Sequence, residues 1–156
     1  MISPEILRRY PFFGNLSDAQ LASIAMVAEE ISWNKGETIL EECQPADYLF
    51  LLIDGNVDLF YRSEDQSNPT NRKDFLVGEI DAGEIFAISA LIEPYIYSAS
   101  AKVARPSRAI KFDAIELRKL FAQDSALSCQ MMTQVAKAAM ERLSYARVQL
   151  AAAWSK

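Results

Sequence analysis

The chain is predicted to fold as a β-rich α+β domain, a closed antiparallel sandwich or barrel with helices at both ends. Three observations predict this. Short alternating or continuous apolar runs, each bounded by Gly, Pro, Asn or Asp, recur through the middle of the chain. Helical periodicity is confined to the two ends. The 156 residues, 51% of them hydrophobic, suffice for one domain with a substantial core.

The helical head is predicted to begin at Ser17, where Ser17-Asp18-Ala19-Gln20 has the form of a capping box. Leu21, Ile24, Ala25 and Ala28 then recur at helical spacing until Trp33-Asn34-Lys35-Gly36 breaks the period, and the β region is expected to start there. Strands are predicted at Thr38 to Leu40, Tyr48 to Ile53 and Asn56 to Arg62, with Asp54-Gly55 as a tight hairpin turn between the last two. The polar run Ser63 to Asn71 reads as an exposed hairpin loop, after which Phe75 to Ile80 resumes the strand pattern. Asp81-Ala82-Gly83 turns again. The last strands are Ala99 to Val103 and Ser107 to Phe112, with Arg105-Pro106-Ser107 as the turn between them.

From Asp113 onward helix formers dominate. A short helix carries Ile115, Leu117, Leu120 and Phe121, and a longer one follows the cap Asp124-Ser125. In it Met132, Ala136, Ala139, Leu143, Ala146, Leu150 and Trp154 recur in steps of three and four, the narrow seam of a helix pair. The expected organisation is thus a helical segment over 1–35, a barrel over 36–112 and helices over 113–156.

Composition removes many functions. The chain has no His, the commonest general base and a common metal ligand near neutral pH. It contains no GxSxG, no GxxxxGK[ST] and no DxDxDG, so nucleophile-elbow, P-loop and EF-hand chemistry have no support. No catalytic residue and no metal ligand set is expected. The net charge is −5 with no basic run, which lacks the footprint of a nucleic-acid surface. No apolar stretch reaches signal-peptide or membrane-spanning length, so a cytoplasmic protein with no membrane partner is expected. Cys43 and Cys129 stand far apart in no ligand spacing and read as buried or incidental thiols. The pairs Glu29/Glu30 and Glu41/Glu42 read as solvated surface charge.

Several pieces, taken in order, resemble the cyclic nucleotide-binding domain of the catabolite-activator and kinase regulatory-subunit superfamily. They are Pro11-Phe12-Phe13 followed by Leu16-Ser17, Gly36-Glu37-Thr38-Ile39, Asp47 to Leu52 leading into Asp54-Gly55-Asn56-Val57, and Gly83-Glu84-Ile85-Phe86. The resemblance covers Tyr10 to Leu150. It implies an eight-stranded antiparallel jelly roll flanked by N-terminal helices and a long C-terminal helix. It also implies a ligand-binding cassette over Phe86, Ala87, Ile88, Ser89, Tyr97, Ser98, Ala99 and Ser100.

Within that cassette the residue types depart from the family pattern. Ala87 and Ile88 stand where the resemblance places a Gly-Glu pair, so the carboxylate that would accept the ribose hydroxyl is an aliphatic side chain. Ile96 and Tyr97 stand where it places Pro-Arg, which removes the guanidinium that would pair with a phosphate. Only Ser98-Ala99-Ser100 keeps the expected types. A cyclic nucleotide is therefore disfavoured by Ile88 and Tyr97, and no cofactor is assigned. The iron–sulfur and haem variants of the superfamily lack their ligands here. A cupin-like enzyme would need a histidine cluster.

The resemblance further implies a homodimer joined through the long helix. The winged helix that reads DNA in some members has no room before Lys156, so the expectation is a stand-alone sensing module acting through a protein partner, or a piece of a longer regulator. The functional expectation is a non-enzymatic regulatory module with an altered or absent ligand. The alternatives are an ordinary cAMP or cGMP sensor and a ligand-free interaction scaffold.

Overall fold

A computed structural model describes residues 1–65 and 68–155, with side chains described outside 64–72. The head contains helix α1 (Pro4–Arg8), a 3-10 turn (Pro11–Phe13) and α2 (Asp18–Met26). The capping box at Ser17 is complete: Gln20 N donates to Ser17 Oγ at 3.2 Å, and Ser17 N donates to Gln20 Oε1 at 2.9 Å. The helix ends earlier than its periodicity suggests. Ala28 opens strand β1 (Ala28–Trp33), which pairs antiparallel with the last strand from Ala28↔Phe112 to Trp33↔Ser107. β-Branched Ile31 and aromatic Trp33 suit a strand, and this non-local pairing overrides the local helical spacing.

Among the described residues the sheet has six strands: β1, β2 (Thr38–Leu40), β3 (Tyr48–Asp65), β4 (Asn68–Asp81), β5 (Ile85–Phe86) and β6 (Ser100–Asp113). Their order is β1-β6-β3-β4, with β2 also on β6 and β5 also on β3, all antiparallel. The family resemblance implied eight. The difference lies in β3 and β6, each of which was expected as two strands separated by a turn and is instead one continuous bent strand. Asp54-Gly55 is a bulge, where the β3–β6 register shifts between Leu52 and Val57. Gly55 has φ +109, and a Cβ there would lie 2.1 Å from Ser107 Oγ, so the crossing strand needs a residue without a side chain. Opposite it, Arg105-Pro106-Ser107 continues the strand. Ser107 Oγ accepts from Asn56 N at 3.1 Å and donates to Arg105 O at 2.7 Å, which satisfies backbone groups at the bend.

The expected loop over Ser63 to Asn71 is likewise mostly strand, since β3 runs to Asp65 and β4 resumes at Asn68. Gln66 and Ser67 lie outside the described residues. Polar composition does not prevent backbone pairing in a two-stranded ribbon.

The alternation along β3 builds two cores. Leu49 and Leu51 face a cluster with Phe13, Leu21, Ile110, Phe112, Leu117, Leu127, Met131 and Val135, between sheet and helices. Phe50 and Leu52 face the interior of the roll, with Val57, Ile80, Phe86, Tyr97 and Ala109. Burial on both faces explains why Tyr48 to Ile53 reads as a continuous apolar run rather than an alternating one. Helix α3 (Ala114–Gln123) starts at the Asp113 cap and α4 (Ser125–Trp154, 30 residues) at the Asp124 cap. Gln20 Nε2 donates to Asp124 Oδ2 at 3.2 Å, tying the head to the start of α4.

Candidate functional site

The cassette leaves the sheet at β5. Phe86 turns into the roll and stacks on Phe50 with centroids 5.0 Å apart, and Trp33 meets Phe50 edge-on at 5.6 Å. Ala87 follows in the left-handed region with φ 65 and ψ 38, a conformation that strains a residue with a Cβ. The backbone at this position has the left-handed geometry that a glycine adopts without strain. A 3-10 turn, Ile88–Leu91, comes next, and Ala90 N donates to Ala87 O at 3.1 Å. Ile88 is half-buried and packs on the helix-side core rather than the roll interior. Ser89 is half-buried beside it, and its carbonyl accepts from Ile92 N at 3.2 Å.

The second half of the cassette closes the roll. Tyr97 is 7% exposed within the roll core. Its hydroxyl donates to Tyr48 O at 3.0 Å and accepts from Tyr48 N at 3.2 Å. Burial pushes the phenol above its usual pKa, with the Tyr48 backbone contact pulling the other way. The backbone here pairs with the segment before β3: Cys43 N donates to Tyr97 O at 2.9 Å, Tyr97 N to Gln44 O at 3.0 Å and Ala46 N to Tyr95 O at 2.8 Å. Tyr95 is itself left-handed, with φ 59, and its ring lies 3.9 Å below the Arg118 guanidinium of α3. Residues 43–46 and 95–97 thus form one small ladder at the side of the roll.

The small polar residues of the cassette divide. Ser98 is exposed, Ala99 is half-buried against the roll core, and Ser100 is buried with its Oγ accepting from Glu42 N at 3.0 Å. Glu42, expected as a surface charge, is half-buried, and its carboxylate accepts the backbone N–H of Arg62. Ser100 Oγ therefore accepts one bond from within, beside a segment that carries a carboxylate. The two arginines that follow the cassette in sequence are engaged elsewhere. Arg105 donates to Gly55 O at 3.2 Å and Arg108 pairs with Glu30 at 2.8 Å. Glu29 pairs with Lys111 at 3.0 Å.

Two clefts open elsewhere. The larger, about 460 Å³, lies between the β4–β5 turn and α4, lined among others by Glu79, Asp81, Glu84, Glu141, Arg142 and Tyr145. The second, about 350 Å³, lies by Met26, Tyr48 and Lys111. Among the described residues no group of three or more His, Cys, Asp or Glu could hold a metal ion. Both cysteines are free and exposed, not buried: Cys43 sits at φ 70 in the segment before β3, and Cys129 on the outer face of α4.

Helix α4 packs on the domain through Leu127, Met131 and Val135, with Met132 and Ala138 partly buried beside them. The predicted seam lies to one side of this stripe. Ala136, Ala139, Leu143, Ala146 and Leu150 are exposed, as are Met140, Val148 and Trp154. Two residues whose contacts sequence reasoning did not anticipate are prominent here. Glu42 had no local signal, because its partners Arg62 and Ser100 are distant in sequence. Arg142 is half-buried and donates from Nη2 to Ile85 O. Burial lowers its pKa, with Glu84 and Glu141 opposing.

Comparison with known proteins bears directly on this geometry. Residues 30–124 match the family model for the cyclic nucleotide-binding domain. The chain belongs to that family. It is 39% identical to a putative cyclic nucleotide-binding protein from Geobacter metallireducens, whose crystal structure superposes with a TM-score of 0.79, covering 92% of this chain and 99% of that one. The N-terminal domain of a transcriptional regulator from Streptomyces coelicolor has the same fold, with a TM-score of 0.64 and 19% identity over 87% of this chain and 93% of that one. A CRP-like cAMP-activated global transcriptional regulator of Mycobacterium tuberculosis is 24% identical over 85% of this chain. The chain spans 57% of that regulator's length. The matched relatives include cyclic nucleotide-binding proteins and transcription regulators. Among the described residues no helix is long and apolar enough to cross a membrane.

Proposed function

We propose that this cyclic nucleotide-binding domain is a non-enzymatic regulatory module whose roll is filled by its own side chains, and that it acts through α4 as a homodimer. The observation that carries the reading is Tyr97. It stands where the family resemblance places the phosphate-pairing arginine, its ring belongs to the roll core, and both its hydroxyl hydrogen bonds go to Tyr48. Opening a site there would break both bonds and expose Phe50 and Phe86. A cyclic phosphate arriving at Ser98 to Ser100 would find Tyr97 where the resemblance places the arginine, and the Glu42 carboxylate on the segment whose N–H bonds Ser100 Oγ. A charge-assisted bond of the missing kind contributes about 1.5–3 kcal/mol, so its loss alone reduces affinity by one to two orders of magnitude.

The seam supports the second half of the proposal. Leu143 is 49% and Leu150 59% exposed on a helix of 30 residues, which leaves apolar surface for a second copy while small Ala136, Ala139 and Ala146 permit close approach. Regulation would then be a shift between two arrangements of α4, driven by whatever binds one better than the other, a protein partner included.

The retained Ser98-Ala99-Ser100 favours a second reading, an ordinary cAMP or cGMP sensor in which the 43–46 segment moves aside. Titration calorimetry with each nucleotide on the purified protein separates the two. The filled-roll reading expects no heat of binding at micromolar nucleotide, whereas the sensor reading expects a saturable isotherm.

A further inference from the structure

The groove between the β4–β5 turn and α4 holds a contact that neither the fold nor the cassette pattern requires. Strand β5 is only two residues long and is paired by β3 alone, at Phe50↔Phe86 and Leu51↔Ile85. On its other side Arg142 reaches in from α4 and donates from Nη2 to the Ile85 carbonyl. Glu84 on the turn and Glu141 on the helix flank the guanidinium. Two residues beyond Ile85 stands left-handed Ala87, and beyond it Ile88 and Leu91 pack with Met131 and Val135 of the same helix. The cassette is therefore gripped by α4 at two places, one apolar and one polar. The polar grip lies just before left-handed Ala87.

We propose that Arg142 is a positioning residue that couples the register of α4 to the conformation of the cassette. The Ile85 carbonyl accepts from Arg142, with the carboxylates of Glu84 and Glu141 acting on the guanidinium through their charge. A shift of α4 that withdraws Arg142 would release Ile85, and with it the hinge at Ala87 that sets the path from Phe86 to Tyr97. The converse follows by reciprocity: a change that relaxes Ala87 loosens the helix around Arg142. This coupling needs no ligand in the roll, so it stands or falls separately from the filled-roll reading.

Hydrogen–deuterium exchange on the full chain tests it, with no nucleotide present. Arg142→Met should raise exchange over residues 83–92 by about threefold or more, while amides of 48–52 and 109–112 stay at the wild-type rate, the pattern of a local opening rather than of global destabilisation. Arg142→Lys, which keeps a donor of similar reach, should stay within about twofold of wild type. Ala87→Gly relieves strain and so keeps the fold whatever becomes of the Met variant. It should raise exchange over 138–146, remote from its own site. Unchanged exchange over 83–92 in a folded Arg142→Met protein, or an Ala87→Gly protein whose α4 is indistinguishable from wild type, would overturn the proposal.

Discussion

The hydroxyl of Tyr97 closes on the backbone of Tyr48 from both sides, donating to its carbonyl at 3.0 Å and accepting from its N–H at 3.2 Å. One side chain thereby joins the cassette to the first residue of β3. Tyr97→Phe removes both bonds at once and leaves the Tyr48 groups to find solvent. The expected cost is about 1–3 kcal/mol, read as a lower midpoint in urea unfolding with an unchanged slope.

The same residue predicts a pH effect. Burial raises the phenol's pKa in the folded state, so the fold holds the proton more tightly than the unfolded chain does. The associated stability is fully present below the unfolded tyrosine value and is lost as pH rises through the folded one. Wild-type stability should fall on the alkaline side in the range where unfolded tyrosine titrates, and Tyr97→Phe should flatten that fall. An identical alkaline limb in both proteins would assign the effect to other groups.

Gly55 marks the bend that makes one strand of two. A methyl group there meets Ser107 at 2.1–2.6 Å in a backbone with φ +109. Gly55→Ala should cost roughly 2–5 kcal/mol from strain and overpacking together, measured by thermal or denaturant unfolding. Gly36→Ala is the control, since nothing lies within 4 Å of its added Cβ and only the positive φ of 89 opposes it. It should be the milder change by a clear margin.

These two bends explain where the sequence was legible and where it was not. Caps are local, and Ser17, Asp113 and Asp124 announced their helices because each side chain bonds a backbone N–H three residues on. Turn dipeptides are ambiguous. Asp54-Gly55 has the same composition in a hairpin and in a bulge, and only the crossing of Ser107 from 52 residues away decides between them. Strand β1 was hidden for the same reason, because its partner lies at 107–112. At the cassette, the odd residues Ile88 and Tyr97 could be recognised from the family pattern, but not the directions in which they point. Tyr97 fills the roll while Ile88 serves the helix-side core. The ladder with 43–46 and the Arg142 contact depend on pairings that no local spacing encodes.

The exposed seam of α4 carries its own prediction. A chain of 17.5 kDa should run as a dimer by light scattering at micromolar concentration. Leu143→Glu placed in the exposed seam should convert it to a monomer with unchanged circular dichroism of the roll, because Leu143 is 49% exposed in the single chain. A wild-type protein that is monomeric throughout would remove the dimer from the account.

The claim that the roll is filled is tested most directly by titrating cAMP and cGMP into the purified protein in a calorimeter. The account predicts no saturable binding at nucleotide concentrations up to tens of micromolar, with Tyr97 still bonded to Tyr48. A submicromolar dissociation constant for either nucleotide would contradict it.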